Sequence, residues 1–349
     1  MARVSSILNL VEEKVFYNAL CVATQSAYRT LKNLKERFGS WKDAWQNFPD
    51  AKTSDPRAEF KKLEACGVRL VLLEDPEYPA PLKEISWAPF GLYVRGTMGP
   101  EELPIAVVGT RKATPQGKEL ARQYAGELAR AGATIVSGLA LGIDAAAHEG
   151  CLAASGRTIA VLGSGLDRFY PATNARLGEK ILSSGGVVLS EYPLGSPALP
   201  YRFLERNRII SGLSRGVLVI EAPSGSGALA TARFAMEQNR DVFVVPGPVT
   251  HPNYAGSHEL IRQGAELVTG ARDVLASFGV AGTERPDEPD SSLTKEETLI
   301  LQAVRAAGAP LPVDKIVQAT NLEAQIVNQT LSFLLMKNKL RETAAGFTF

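Results

Sequence analysis

Residues 105–247 decide the fold through a succession of short apolar runs. These are Ile105-Ala-Val-Val-Gly109, Thr134-Ile-Val-Ser137, Thr158-Ile-Ala-Val-Leu-Gly163, Val187-Val-Leu-Ser190, Val217-Leu-Val-Ile220 and Val242-Phe-Val-Val245. Each is rich in β-branched residues and apolar throughout, as strands buried on both faces of a parallel sheet read. Helix-length segments separate them, so the region reads as βαβ units of an open α/β sheet. Loops that follow the strands of such a sheet gather along one edge, where ligands bind. Here those loops are Gly109-Thr-Arg-Lys112, Ser137-Gly-Leu-Ala-Leu-Gly142, Gly163-Ser-Gly165 and Ser224-Gly-Ser-Gly227. Close-approach glycines, hydroxyls and cations therefore converge on one surface that suits phosphates.

The totals set bounds on the rest. A chain of 349 residues is long enough for two or three domains and a full core. A formal net charge of +1 gives no global basic signal, so any nucleic-acid site must be a local patch. Cys21, Cys66 and Cys151 match no metal spacing and read as reduced thiols, which suits a cytosolic protein. No apolar run approaches the roughly 20 residues of a membrane span, and no signal-peptide core is visible. The expectation is a cytoplasmic protein without a metal or cofactor.

Outward from the sheet, residues 1–66 read as a helical packing module. Val11 to Asn33 is a run without Gly or Pro, Gly39 ends a helix, and Ser40 is an N-cap. Residues 67–280 hold strand-like Val68–Leu73 and Gly91–Gly96 followed by the α/β region. Residues 281–292 are acidic, contain proline and are nearly free of large apolar groups, so they read as a linker. Residues 293–349 read as three helices and a terminal hairpin, a winged-helix arrangement. Its third helix carries Glu323, Gln325, Asn328 and Gln329 but no cation before Lys337, so DNA contact and protein contact both stay open there.

The chemistry-bearing residues sit in the loops and in one basic cluster. Arg111 and Lys112 follow a strand and precede a helix expected to start near Thr114-Pro115; a helix N-terminus with a bidentate arginine favours a phosphate. The dinucleotide and P-loop glycine signatures are absent, and an ordinary strand-to-helix turn is the alternative. Ser137 and Gly138 could donate to a second phosphate, with Asp144 as an N-cap. Gly163 and Ser164 let a ligand approach, and their loop leads to Tyr170-Pro171 and Asn174. Arg202, Phe203, Arg206, Asn207 and Arg208 form the densest polar cluster. Cations that track a backbone beside a ring that stacks a base fit single-stranded nucleic acid, with a solvated helix face as the alternative. His148, His251 and His258 build no metalloprotease or triad signature, so no catalytic residue is assigned.

These strings resemble the DNA-processing protein A family (DprA, also called Smf). Val108–Arg111, Ser137–His148, Gly163–Asp167 with Tyr170-Pro171 and Asn174, Arg206–Ser214, Ser226–Ala232, Val242–Gly247 and Gly256–Ile261 carry the resemblance. It implies an extended Rossmann-like, mostly parallel sheet, flanked by an N-terminal sterile-alpha-motif-like helical domain and a C-terminal winged-helix-like domain. It also implies a non-enzymatic, homodimeric single-stranded-DNA binder that helps load the recombinase RecA during natural transformation. By motif, Arg111, Ser137, Gly138, Gly163, Ser164, Asn174, Arg206, Asn207 and Arg208 would line the DNA pocket, with Phe203 as the stacking ring. Leu260 and Ile261 would lie in the dimer contact. The chain departs from the family string at Leu204-Glu205, where a proline is usual before the arginines.

Two other readings compete. Related Rossmann-like nucleotide phosphoribohydrolases place a catalytic glutamate in the loop region where Thr231 stands here. A protein-interaction scaffold would leave the arginines as surface charge.

Overall fold

Each apolar run is a strand. The computed structural model describes residues 2–49, 55–280, 293–337, 339–343 and 345–348. The linker expected at 281–292 lies outside the described residues.

The first helices are α1 (Ala2–Thr24), α2 (Tyr28–Phe38), α3 (Trp41–Gln46) and α4 (Pro56–Ala65). Ser40 caps α3 through the Asp43 N–H, and Gly39 ends α2 at φ 74°. The Gly- and Pro-free run from Val11 to Asn33 is not one helix. It breaks at Gln25 and Ser26, both at positive φ. Tertiary contacts impose that turn: the Ser26 hydroxyl donates to the Glu191 carbonyl and Arg202 reaches the Gln25 carbonyl.

The chain then runs β1 (Arg69–Leu72), α5 (Ala80–Lys83), β2 (Gly91–Gly96), β3 (Pro104–Val108), α6 (Pro115–Arg130), β4 (Thr134–Ser137) and α7 (Ile143–Ala153). It continues with β5 (Thr158–Leu162), α8 (Ala175–Ser183), β6 (Val187–Ser190), α9 (Pro200–Leu213), β7 (Gly216–Val219), α10 (Gly227–Glu237) and β8 (Asp241–Val244). Then come α11 (Ala255–Arg262), β9 (Glu266–Leu267) and α12 (Ala271–Ser277).

The strands form one nine-stranded sheet in the order β1-β2-β6-β5-β4-β3-β7-β8-β9. Only the β1–β2 and β2–β6 pairings are antiparallel. From β3 the chain adds strands outward to β6, then returns to the other side of β3 with β7. The order therefore reverses between β3 and β7.

Burial on both faces explains the unbroken apolar runs. On one face Ala106, Val108, Val136 and Val217 pack with Ile209, Ile210 and Leu213 of α9. On the other, Ile105, Val107, Ile135 and Leu218 pack with Ala121, Tyr124 and Leu128 of α6. Each such aliphatic side chain contributes roughly 1.5–3 kcal/mol when fully buried. A third cluster joins Tyr17, Leu20, Trp41 and Leu63 of the N-terminal helices to Leu72, Tyr93, Leu162 and Val188 of the sheet. Residues up to 282 accordingly form one compact unit.

His148 of α7 lies inside this unit and supplies a pH prediction. Its Nδ1 lies 2.7 Å from the Thr158 hydroxyl, which itself donates to the Ile135 carbonyl, so Nδ1 is the donor. Burial pushes its pKa from 6.5 down to about 3. The folded state resists a proton that the unfolded chain accepts. The contribution of His148 to stability is thus full above pH 6.5 and falls with acidification at up to ~1.4 kcal/mol per pH unit. Denaturant midpoints between pH 7.5 and 4.5 should show this fall, flattened in His148→Gln.

The second compact unit covers 283–349. Its helices are α13 (Lys295–Ala307), α14 (Val313–Thr320) and α15 (Ala324–Met336), followed by the hairpin β10 (Arg341–Thr343) and β11 (Gly346–Thr348). Thr294 and Glu297 make a capping box on α13. Ile300, Val304, Ile316, Val327, Leu331 and Phe347 build its core. Leu311 bridges to Phe347 beside the hairpin.

Candidate nucleic-acid interface

The β3 and β7 loops face each other where the strand order reverses, and a cleft of about 640 Å3 opens between them. Open α/β sheets bind ligands at such a switch point. Thr110, Arg111 and Lys112 line one side, Ser224 to Gly227 the other, and Phe203, Arg206 and Asn207 of α9 form its wall. Thr114 caps α6 and Ser226 caps α10, so the N-termini of two helices stand beside the cleft.

Arg111 and Lys112 are exposed. The Arg111 guanidinium lies over the Phe203 ring, 4.7 Å from its centroid. Phe203 in turn lies 5.4 Å from the ring of Tyr170, the planes tilted by 31°. Tyr170 is 46% exposed, and Leu141 nearby is equally open. A cation, two rings and an aliphatic side chain thus share one open surface. Loss of the proline usual before the arginines has not turned Phe203 away from it.

Arg206 is buried rather than presented. Its Nη1 donates to the Gly138 carbonyl at 2.7 Å and to the Val161 carbonyl. Burial pushes its pKa down to about 10, opposed by the charge of Asp144. Burial raises the Asp144 pKa, opposed by Arg206 and by backbone donors. Asp144 is not the N-cap its sequence position suggests. That place belongs to Gly142, and Asp144 accepts the Gly138 N–H at 3.1 Å from the first turn of α7. Gly138 is therefore held between a carboxylate acceptor and a guanidinium donor. A Cβ on it would stand 2.2 Å from Arg206 Nη1. Gly138→Ala is expected to cost ~1–3 kcal/mol through overpacking, read as a lowered denaturation midpoint.

The remaining sequence-derived residues divide by location. Asn207 lines the cleft and donates to the Gly227 carbonyl at 3.1 Å. Arg202 and Arg208 do not line it, which corrects the expectation that both contact the nucleic acid. Arg202 donates to the Pro197 carbonyl and lies over Tyr192; Arg208 pairs with Glu191 and lies over Trp87. The helix turns residues 203, 206, 207 and 210 to the cleft, so 202 and 208 meet the neighbouring segments instead.

Ser137 is also corrected, since its fully buried hydroxyl donates to the Val107 carbonyl. Gly163 and Ser164 are buried, and Phe203 and the Arg202 backbone of α9 lie against Gly163. Asn174 donates to the Leu139 and Ala140 carbonyls and ties the second loop to the third. Leu260 is buried in the sheet core and so presents no free apolar face, whereas Ile261 packs against that core and is only partly buried. Tyr170 joins this surface although the sequence reading assigns it no contact and names it only within the loop string Tyr170-Pro171.

The family described as DNA recombination-mediator protein A matches residues 69–279, from β1 to just past α12. This chain belongs to that family. Among DNA-processing relatives, Protein Smf of Escherichia coli is 44% identical over 231 residues, covering 66% of this chain and 62% of the relative. Protein Smf of Synechocystis is 48% identical over 211 residues, covering 59% and 53%. DNA processing protein DprA of Streptococcus pneumoniae is 47% identical over 221 residues, covering 63% and 76%. The chain thus spans less than two thirds of the length of the two Smf proteins.

Two solved structures of DNA processing protein A carry the same fold. That from Streptococcus pneumoniae is 36% identical with a TM-score of 0.62, covering 74% of this chain and 95% of that one. That from Helicobacter pylori is 31% identical with a TM-score of 0.55, covering 60% and 95%, and is described for its unique single-stranded DNA binding mode. The resemblance read from the sequence strings holds, and with it the Rossmann-like, mostly parallel sheet.

Proposed function

We propose that this chain binds single-stranded DNA across the cleft between the β3 and β7 loops and acts as a non-enzymatic recombination mediator. One observation carries the reading: exposed Arg111 lies over Phe203 beside exposed Tyr170, with Lys112 next to it. Cations follow a phosphate backbone while rings stack bases of any identity, and single strands alone offer unpaired bases to such rings. The Helicobacter pylori relative's described single-stranded DNA binding mode supports the same assignment. In this reading Arg111, Lys112, Phe203, Tyr170 and Asn207 meet the strand, while Arg202, Arg206 and Arg208 lock α9 behind them. The strand is then handed to a RecA-type recombinase during natural transformation, by a homodimer acting in the cytoplasm. Among the described residues no helix is long and apolar enough to cross a membrane.

The phosphoribohydrolase alternative lacks support at its key position. Thr231 is buried and its hydroxyl faces the Gly227 carbonyl at 3.5 Å. Two assays test the proposal together: competition of duplex against single strand, and base release from nucleoside monophosphates. Preference for single strand without turnover supports it; turnover, or equal competition by duplex, overturns it.

A further inference from the structure

Behind the β3 loop lies a carboxylate that does not line the cleft. Glu221 follows β7 and is fully buried. Its backbone carbonyl accepts the Thr110 N–H at 2.7 Å. Its carboxylate accepts from the Thr114 N–H at 3.0 Å, from the Thr114 hydroxyl, from the Asn253 side-chain amide at 2.9 Å and from the Tyr254 hydroxyl at 3.3 Å. All these donors are neutral. The same Asn253 amide nitrogen also donates to the Lys112 carbonyl at 3.1 Å.

The backbone on both sides of Arg111 is therefore tied to one residue. Thr110 is held by Glu221 directly, Lys112 through Asn253, and Thr114 directly again. The first turn of α6 presses on the same carboxylate, since a Cβ on Gly117 would stand 2.3 Å from Glu221 Oε1. Arg111 and Lys112 have long, flexible side chains, so the place of their charges depends on how firmly this backbone is fixed.

We infer that Glu221, acting directly and through Asn253, is a positioning residue that holds Arg111 and Lys112 at the cleft without touching the strand. The inference rests on the proposed single-strand site. It extends that site to a buried layer and assigns Asn253, distant in sequence, to the same task.

The test is titration of a labelled single-stranded oligonucleotide over a salt series with the full chain. Glu221→Ala and Asn253→Ala should weaken binding and shallow the log–log salt slope by ~0.7 for each phosphate that is no longer neutralised. Glu221→Gln should restore most of the wild-type behaviour. Its oxygen can accept from the Thr114 N–H and Asn253, and the Thr114 and Tyr254 hydroxyls can turn to accept from its amide. In an Arg111→Ala/Lys112→Ala background, Glu221→Ala should add little, because the charges it positions are gone.

If Glu221→Ala does not fold, Asn253→Ala decides, since it leaves the Glu221 hydrogen bonds with Thr114 in place. Folded variants with wild-type affinity and slope overturn the inference, as does an undiminished further loss in the double-alanine background. A wild-type protein that does not bind the oligonucleotide overturns the binding proposal and this inference with it. Wild-type binding with indifferent variants overturns the inference alone.

Discussion

Arg208→Ala is expected to destabilise the sheet-bearing unit by about 3–5 kcal/mol. The pair it breaks is 2.6 Å long, with the two side chains 1% and 6% exposed. Removing the guanidinium leaves the Glu191 carboxylate buried without its cation, the costly half of breaking a buried ion pair. It also empties the space over the Trp87 ring, 4.6 Å away. For a unit of this size each kcal/mol moves the thermal midpoint by about 2–4 °C, so the fall should be roughly 6–20 °C. Thermal unfolding checks it directly. A variant that melts like wild type but binds DNA more weakly would return Arg208 to the interface.

Phe203→Ala should have the largest effect on binding itself. Loss of a stacked base costs ~1–3 kcal/mol, a weakening of about 5- to 150-fold. Because the ring is uncharged, the salt slope should stay near that of wild type. Arg111→Ala should behave differently, with the slope falling by ~0.7 as one phosphate goes without its cation. The two side chains touch, at 4.7 Å from guanidinium to ring centroid, so the double variant should lose less than the sum of the singles. Anisotropy titrations of the two singles and the double across salt separate these outcomes. Additive losses with identical slopes would mean that the two residues do not form one surface.

Much of this was legible in the sequence because burial writes strongly. Strands covered on both faces must be apolar at every position, and Ile105 to Val108 is so because its alternate residues serve two different cores. Parallel pairing then sends the following loops to one edge, which located Arg111 and Lys112. What the sequence left hidden depends on partners far along the chain. The arginines at 202, 206 and 208 look alike on paper, yet Tyr192, Trp87, Glu191 and the Gly138 carbonyl claim their guanidiniums. Leu260 is apolar whether it faces a core or a partner. The turn at Gln25 and Ser26 has no glycine or proline to announce it, because Arg202 and the Glu191 carbonyl hold it from outside. Glu221 gave no signal at all, since its task is set by Asn253 and Thr114.

The central claim is that the cleft at the sheet reversal holds single-stranded DNA through Arg111 and its neighbours. The most direct measurement is the affinity of wild type and Arg111→Ala/Lys112→Ala for a labelled single strand over a salt series. The account predicts salt-sensitive wild-type binding and a double variant that is weaker at every salt, with a slope shallower by up to ~1.4. Equal affinities and equal slopes for the two proteins would contradict it.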